Sequence, residues 1–224
     1  MTNAEHPIID EPTDLHDMVV VHRVFRRELR AIPRLVLDTP SGDLPRAAVV
    51  AGHARLILSG LHLHHTGEDE LLWPLLLERA APAADVVERM QVQHLAADEL
   101  IRQLEVVLDR WQVEARPAVA AEAARLLDRL REVVIEHLDE EERNILPVAS
   151  RAITQDEWSA VGEAGVAKMS RQELPLMFGA VLEDASFEER REMLQALPLP
   201  ARVLMRTWGP GHYRRYITKV RASS

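Results

Sequence analysis

The 224-residue sequence contains no cysteine, which excludes disulfide bonds, thiol catalysis and zinc–thiolate sites. It also lacks any apolar run near the roughly 18–20 residues that a membrane-spanning helix needs, and its first residues do not read as a secretory signal peptide. Sustained apolar–polar alternation is missing, and so are the Asn-Gly and Asp-Gly pairs that mark β-hairpins. We therefore expect an all-α protein that works in the cytoplasm.

Acidic residues outnumber basic ones, and the formal net charge of −9 argues against nucleic acid as a partner. The charge is unevenly distributed, because residues 201–224 carry six bases and no acid, whereas residues 1–200 carry 21 bases against 36 acids. Such a basic tail can dock on the acidic body or hold an anionic partner. We expect the intramolecular docking, with the segment GPGHYRRY packed on the outside of the helices.

Proline and glycine divide the chain into four long helical stretches, which cover about residues 13–31, 44–73, 82–111 and 117–146. Four such helices joined by short loops predict an antiparallel four-helix bundle. Shorter helices follow, and two of them begin with the capping-box pattern Ser/Thr-x-x-Glu, at residues 154–157 and 186–189. We divide the chain into a flexible N-terminus (1–12), the helical bundle (13–149) and a helical C-terminal extension (150–224).

The segment LHLHHTGEDELLWP, residues 61–74, contains three histidines within four positions. Comparison with a second segment, EHLDEEERNILP, indicates which of the three is a candidate ligand. When the two prolines are aligned, both segments read H-x-x-x-E-x-x-x-x-x-P. The first copy consists of His64 and Glu68, and the second of His137 and Glu141. His62 has no acid four residues later, and His65 has no proline in register, so the repeat favours His64.

One histidine in each long helix falls on the apolar stripe that faces the core: His22, His64, His94 and His137. Two of these helices add a glutamate one turn further on, Glu68 and Glu141. Burial of a carboxylate among leucine and valine side chains is unfavourable unless a positive charge holds it. Imidazole and carboxylate ligands from facing helices suit iron, manganese or zinc, and two bridging carboxylates favour a dinuclear centre.

The remaining histidines receive no role as metal ligands. His53 lies three turns before His64 on nearly the same face, and we expect it in a pocket wall rather than at the metal. The others are predicted to lie at the surface or behind the ligands: His6, His16, His62, His65 and His212.

The ordered pattern H…HxxxE…H…HxxxE resembles the hemerythrin-like family, the HHE cation-binding proteins, over residues 13–149. The resemblance implies a four-helix bundle with a non-haem di-iron centre. It further implies that Glu68 and Glu141 bridge the two irons. By analogy, His22 and His64 would be terminal ligands of one iron, and His94 and His137 of the other.

The third helix departs from the oxygen-carrying hemerythrins, which place two histidines one turn apart there. His94 has Met90 one turn before it and Asp98 one turn after it. One iron therefore loses an imidazole, or accepts Asp98 or water instead; otherwise Asp98 accepts a hydrogen bond from a ligand histidine. An open position would let peroxide, nitric oxide or oxygen bind.

We expect a di-iron protein that binds or senses oxygen, peroxide or nitric oxide. The alternatives are a catalase-like enzyme that disproportionates peroxide, an iron-buffering protein, or a metal-free helical scaffold. Catalytic residues beyond the metal ligands do not stand out, and manganese and zinc accept the same ligand types. The C-terminal extension, with apolar stretches such as LPLMFGAVL, could serve homo-oligomerisation or a protein partner.

Overall fold

The computed structural model describes residues 11–222, and every regular element in that range is helical. Eleven α-helices follow one another along it: α1 (His16–Leu37), α2 (Leu44–Gly67), α3 (Trp73–Arg79), α4 (Ala84–Glu114), α5 (Pro117–Glu140), α6 (Leu146–Ala152), α7 (Gln155–Lys168), α8 (Glu173–Glu183), α9 (Phe187–Gln195), α10 (Leu199–Thr207) and α11 (Gly209–Arg221). Within the same residues, no helix is both long enough and apolar enough to cross a membrane.

The four long helices, α1, α2, α4 and α5, share one apolar core. Helix α1 packs against α2 and α5, and α4 packs against the same two helices. Local sequence fixes where the helices begin, since Asp43 accepts a hydrogen bond from the Arg46 amide at the start of α2 and Pro117 opens α5. The core therefore brings the inward faces of all four predicted helices together.

Both copies of the repeated motif contain a widened turn of π-helix, which the sequence pattern alone did not predict. The π turns cover Glu68–Leu72 and Glu141–Ile145, so each begins at the motif glutamate. Each ends just before a proline, whose ring lacks an amide hydrogen and would collide with the carbonyl four residues earlier. A wider turn relieves that collision, and α3 and α6 continue the helix with the proline in their first turn.

The prediction that the first helix ends before Pro33 is wrong, because α1 continues to Leu37 with this proline inside it. Ile32, Pro33 and Val36 are all buried. Burial of these apolar side chains in the last turns of the helix compensates for the amide hydrogen bond that proline cannot make.

Four of the helices that follow residue 153 pack on α1 or α2, namely α7, α8, α9 and α11. Helix α7 contacts α2, and α8 contacts α1, α2 and α11. Both predicted capping boxes are present, with Thr154 and Glu157 at the start of α7 and Ser186 and Glu189 at the start of α9. The close approach of α8 and α11 depends on Gly179, where an added Cβ would collide with the stem of Tyr213.

A buried polar network attaches the basic helix α11 to α1. The Glu28 carboxylate has no exposed surface and accepts hydrogen bonds from Arg27 at 2.8 Å, Arg221 at 3.1 Å and His53 at 3.1 Å. The other ring nitrogen of His53 lies 3.0 Å from the Tyr216 hydroxyl. The basic tail thus docks on acidic groups of its own chain, as the charge distribution predicts, and His53 belongs to this contact.

Candidate metal centre

Six side chains selected from the sequence lie together in the core of the four long helices: His22, His64, Glu68, His94, His137 and Glu141. The two glutamates are completely buried, and three of the histidines are at most 2% exposed. His64 retains the most solvent contact, with 11% of its side chain exposed. The cluster is therefore enclosed by the helices that supply it.

Glu68 stands between histidines of two different helices. Its Oε1 lies 3.1 Å from Nε2 of His64, and its Oε2 lies 3.3 Å from Nε2 of His94. Each carboxylate oxygen thus faces a different imidazole. A carboxylate in this position can contact two cations at once, one through each oxygen.

Glu141 occupies the matching position, at the start of the π turn that follows α5. Its Oε2 lies 3.3 Å from Nε2 of His22 and 3.7 Å from Nε2 of His137. The histidines also pair across the cluster, because the Nε2 atoms of His22 and His64 are 3.1 Å apart and those of His94 and His137 are 3.3 Å apart. The side chains therefore form two halves, joined by two carboxylates.

The outer ring nitrogens of three histidines are held by oxygen acceptors. Nδ1 of His22 donates to the Glu142 carboxylate at 2.8 Å, and Nδ1 of His94 donates to Asp69 at 3.0 Å. Nδ1 of His137 lies 3.1 Å from the amide oxygen of Gln93. A proton on Nδ1 leaves Nε2 free to ligate, and such hydrogen bonds orient histidine ligands in metalloproteins.

The carboxylate oxygens of Glu68 and Glu141 have no hydrogen-bond donor among residues 11–222, although all four atoms are buried. Burial opposes the ionisation of Glu68, and the nearby Glu141 adds repulsion, so the pKa of Glu68 is raised to about 8. Burial also opposes the ionisation of Glu141, but the His22 imidazolium outweighs it and lowers the pKa of Glu141 to about 2. Two buried carboxylates this close require positive charge between them.

The histidines respond to the same charges. Burial alone would lower the pKa of His22, but Glu141 and Glu142 raise it to about 9. The pKa of His94 also rises to about 9, because Asp69 and Glu68 outweigh the effect of burial. Burial lowers the pKa of His137 to about 4, with His94 adding to the effect. His22 and His94 therefore hold protons next to the buried carboxylates, and a bound metal cation would replace those protons.

This donor set fits metal ions. Imidazole nitrogens and carboxylate oxygens together suit iron, manganese and zinc, and the buried carboxylate oxygens without donors would gain the partner that they need. Apolar rings line the cluster, with Phe25 at 5.3 Å from the His64 ring and Trp73 at 5.9 Å from the His94 ring, measured between centroids. They would limit the access of water to a bound ion.

Asp98, the additional ligand considered from the sequence, does not lie in the cluster. Its carboxylate is 41% exposed and accepts a hydrogen bond from His62 at 2.9 Å. His62 is itself more than half exposed. The residue one turn after His94 therefore points outward, and its histidine partner is not a candidate ligand.

His65 was predicted to lie at the surface or behind the ligands, and the structure excludes the surface. Its side chain is 2% exposed, and its ring stacks on that of His94 with 4.0 Å between the centroids. A ring nitrogen of His65 can group with one each of His94 and His137, all within 4.8 Å of one another. Alignment of the two motif copies did not identify His65, because the second copy has Leu138 at the matching position.

The remaining histidines and both tyrosines lie elsewhere. His16 pairs with Glu189 with half of its side chain exposed, and His212 stacks on Trp208. Tyr213 donates a hydrogen bond to Glu183 at 2.6 Å, and Tyr216 meets His53, so neither hydroxyl points to the cluster. His6 and part of the predicted flexible N-terminus lie outside the described residues.

Comparison with known proteins agrees with this arrangement. Comparisons with curated proteins and with solved structures gave no match. The family model of the hemerythrin HHE cation-binding domain matches residues 13–149, which contain all six side chains and four long helices. The chain therefore belongs to the hemerythrin HHE cation-binding domain family.

Proposed function

We propose that the protein is a non-haem di-iron protein that binds or senses oxygen, peroxide or nitric oxide. In this proposal α1, α2, α4 and α5 form an antiparallel four-helix bundle around two iron ions, and residues 150–222 form a helical extension docked on it. His22 and His64 would ligate one ion, His94 and His137 the other, and Glu68 and Glu141 would bridge them.

The observation that carries the proposal is the position of Glu68. Its two oxygens face imidazoles of α2 and α4 at 3.1 and 3.3 Å, and neither oxygen has a hydrogen-bond donor among the described residues. Each oxygen faces the imidazole of a different candidate ligand, so each could contact the ion that this imidazole holds. The arrangement supports a carboxylate shared by two cations.

The protein side chains would hold the ions and control access to them. His22 and His94 are oriented by the carboxylates of Glu142 and Asp69, which also raise the basicity of the imidazoles. Bound iron would supply a Lewis-acidic, redox-active position for a small ligand. Among the six side chains of the cluster, His64 is the most exposed to solvent. We therefore expect the small ligand to enter on the His64 side.

Iron loading is the experiment that tests the proposal. The chain is purified without chelator, reconstituted anaerobically with ferrous iron and analysed for metal per chain. We expect about two irons per chain, with ultraviolet–visible changes when nitric oxide or peroxide is added. Glu68→Gln is compared with Glu70→Gln, a neighbouring exposed acid that pairs with Lys168. Only the Glu68→Gln variant should lose iron.

Three results would contradict the proposal. These are wild-type protein without iron after reconstitution, a single bound ion, and equal loading of the two glutamine variants. Ligand assays then separate the alternatives. Sustained oxygen release from peroxide would favour a catalase-like enzyme, whereas readily exchanged iron without ligand binding would favour iron buffering.

A further inference from the structure

His65 is a buried imidazole for which packing gives no explanation. Its side chain is 2% exposed, and neither ring nitrogen has a hydrogen-bond partner among residues 11–222. Buried polar groups in proteins are nearly always hydrogen-bonded, because an unpaired one loses its interaction with water without compensation. A neutral imidazole carries a lone pair on one ring nitrogen, and that lone pair can ligate a metal ion.

The neighbours of His65 are metal-ligand candidates. Its ring stacks on that of His94 at an interplanar angle of 11°, and it meets the ring of His137 nearly edge-on, with 4.9 Å between centroids. One ring nitrogen from each of the three histidines falls within 4.8 Å of the other two. A single cation can contact three nitrogens that lie this close together.

The candidate ligands fall into two groups, and His65 belongs to the first of them, with His94 and His137. His22, His64, Glu68 and Glu141 form the second group of candidate ligands, whose ligand atoms also lie within 4.8 Å of one another. On the other side, α4 supplies only His94, since Asp98 faces the surface. In the assignment above, each ion would have two histidines and the two shared glutamates, and only the His94 side has a third imidazole within reach among the described residues.

We propose that His65 is a metal ligand on the His94–His137 side of the cluster and gives that ion its third imidazole. Consecutive residues of an α-helix differ by about 100° in direction, so His64 and His65 can face different ions from one turn of α2. Helix α2 and the π turn that follows it would then serve both ions, through the two adjacent histidines and Glu68. This inference rests on the proposed di-iron function and adds a ligand to it.

The test compares His65→Phe with His62→Phe. Phenylalanine keeps an aromatic ring in the stack with His94 but cannot ligate, and His62 is an adjacent, exposed histidine that serves as the control. Ferrous iron is added anaerobically, iron per chain is counted, and the affinity of each ion is measured by competition with a chelator. Circular dichroism and urea denaturation of the metal-free variants establish that they fold.

We expect wild type and His62→Phe to hold two ions, and His65→Phe to hold one tightly bound ion, with the affinity for the other reduced at least tenfold. Metal-free His65→Phe should be at least as stable as metal-free wild type, because an unpaired buried polar group is removed. If His65→Phe does not fold, His65→Asn is tested in the same way, with the same loss expected.

Two ions bound to folded His65→Phe with wild-type affinity would overturn the inference and leave the di-iron proposal intact. Failure of wild type to bind two ions would overturn both. Metal content of the wild type therefore separates failure of this inference from failure of the function on which it rests.

Discussion

Replacement of Glu28 by glutamine should loosen the attachment of helix α11 and change the response of the protein to acid. Glu28 is fully buried and accepts hydrogen bonds from His53, Arg27 and Arg221. Burial opposes ionisation of this carboxyl, but the hydrogen bond and charge of His53 and the charge of Arg27 outweigh it, and the pKa falls from 4.5 to about 2. Glutamine keeps the shape of the side chain and removes the charge.

The pKa of Glu28 sets the expected magnitude. A carboxyl whose pKa is lower in the folded state stabilises that state above the unfolded pKa and loses its contribution as the pH falls through the folded pKa. The interval from 4.5 to about 2 corresponds to roughly 3 kcal/mol at about 1.4 kcal/mol per pH unit. Since glutamine still accepts one hydrogen bond, we expect Glu28→Gln to lower the free energy of unfolding at pH 7 by about 1.5–3 kcal/mol.

Urea denaturation of the metal-free protein, followed by circular dichroism, gives this free energy at pH 7 and at steps from pH 5 to pH 2.5. Wild type should lose the Glu28 contribution across that range, whereas Glu28→Gln should show a shallower loss. The matched control is Glu105→Gln, which breaks an exposed ion pair with Arg55 and should change stability by less than about 1 kcal/mol. Equal stability and equal acid response of Glu28→Gln and the control would refute the reasoning.

Three smaller predictions concern the extension and the cluster. Gly179→Ala should destabilise the protein by about 1–3 kcal/mol in thermal or urea denaturation, because the added Cβ would collide with Tyr213. Gly162→Ala places its Cβ in open space and should stabilise α7 by about 0.5–1 kcal/mol. Thr154→Ala removes the α7 cap and should cost about 1 kcal/mol in the same assay. Iron affinity should rise between pH 6.5 and pH 8.5, because Glu141 and Glu142 raise the pKa of His22 to about 9 and a metal must displace that proton; an affinity independent of pH would contradict this.

The positions of the candidate ligands follow from sequence because helical periodicity is strict over short distances. His64 and Glu68 lie one turn apart, as do His137 and Glu141, so any helix that buries one member of a pair buries the other. The apolar stripes then fix which faces meet. The same reasoning could not find the π turns, although the prolines aligned in the two copies of the motif carry the signal for them.

His65 and Asp98 show where periodicity fails. His65 was judged from the proline-aligned repeat and Asp98 from its place one turn after His94, and the structure buries the first and exposes the second. Near the end of α2, the side chains of two successive residues both face the centre, since His64 lies against His22 of α1 and His65 lies against His94 of α4. That depends on how the helices cross, which the local sequence does not encode. The docking of α11 is a similar case. The charge distribution predicts that the basic tail attaches to acidic groups of the chain, but it does not identify Glu28 as the partner.

We propose that Glu68 and Glu141 hold two metal ions between the four histidines. An anomalous-difference map from crystals of ferrous-reconstituted protein, collected at the iron edge, tests it most directly. We expect two peaks within about 4 Å of each other, one beside His22 and His64 and the other beside His94 and His137. A single peak, or iron bound anywhere else in the chain, would contradict the account.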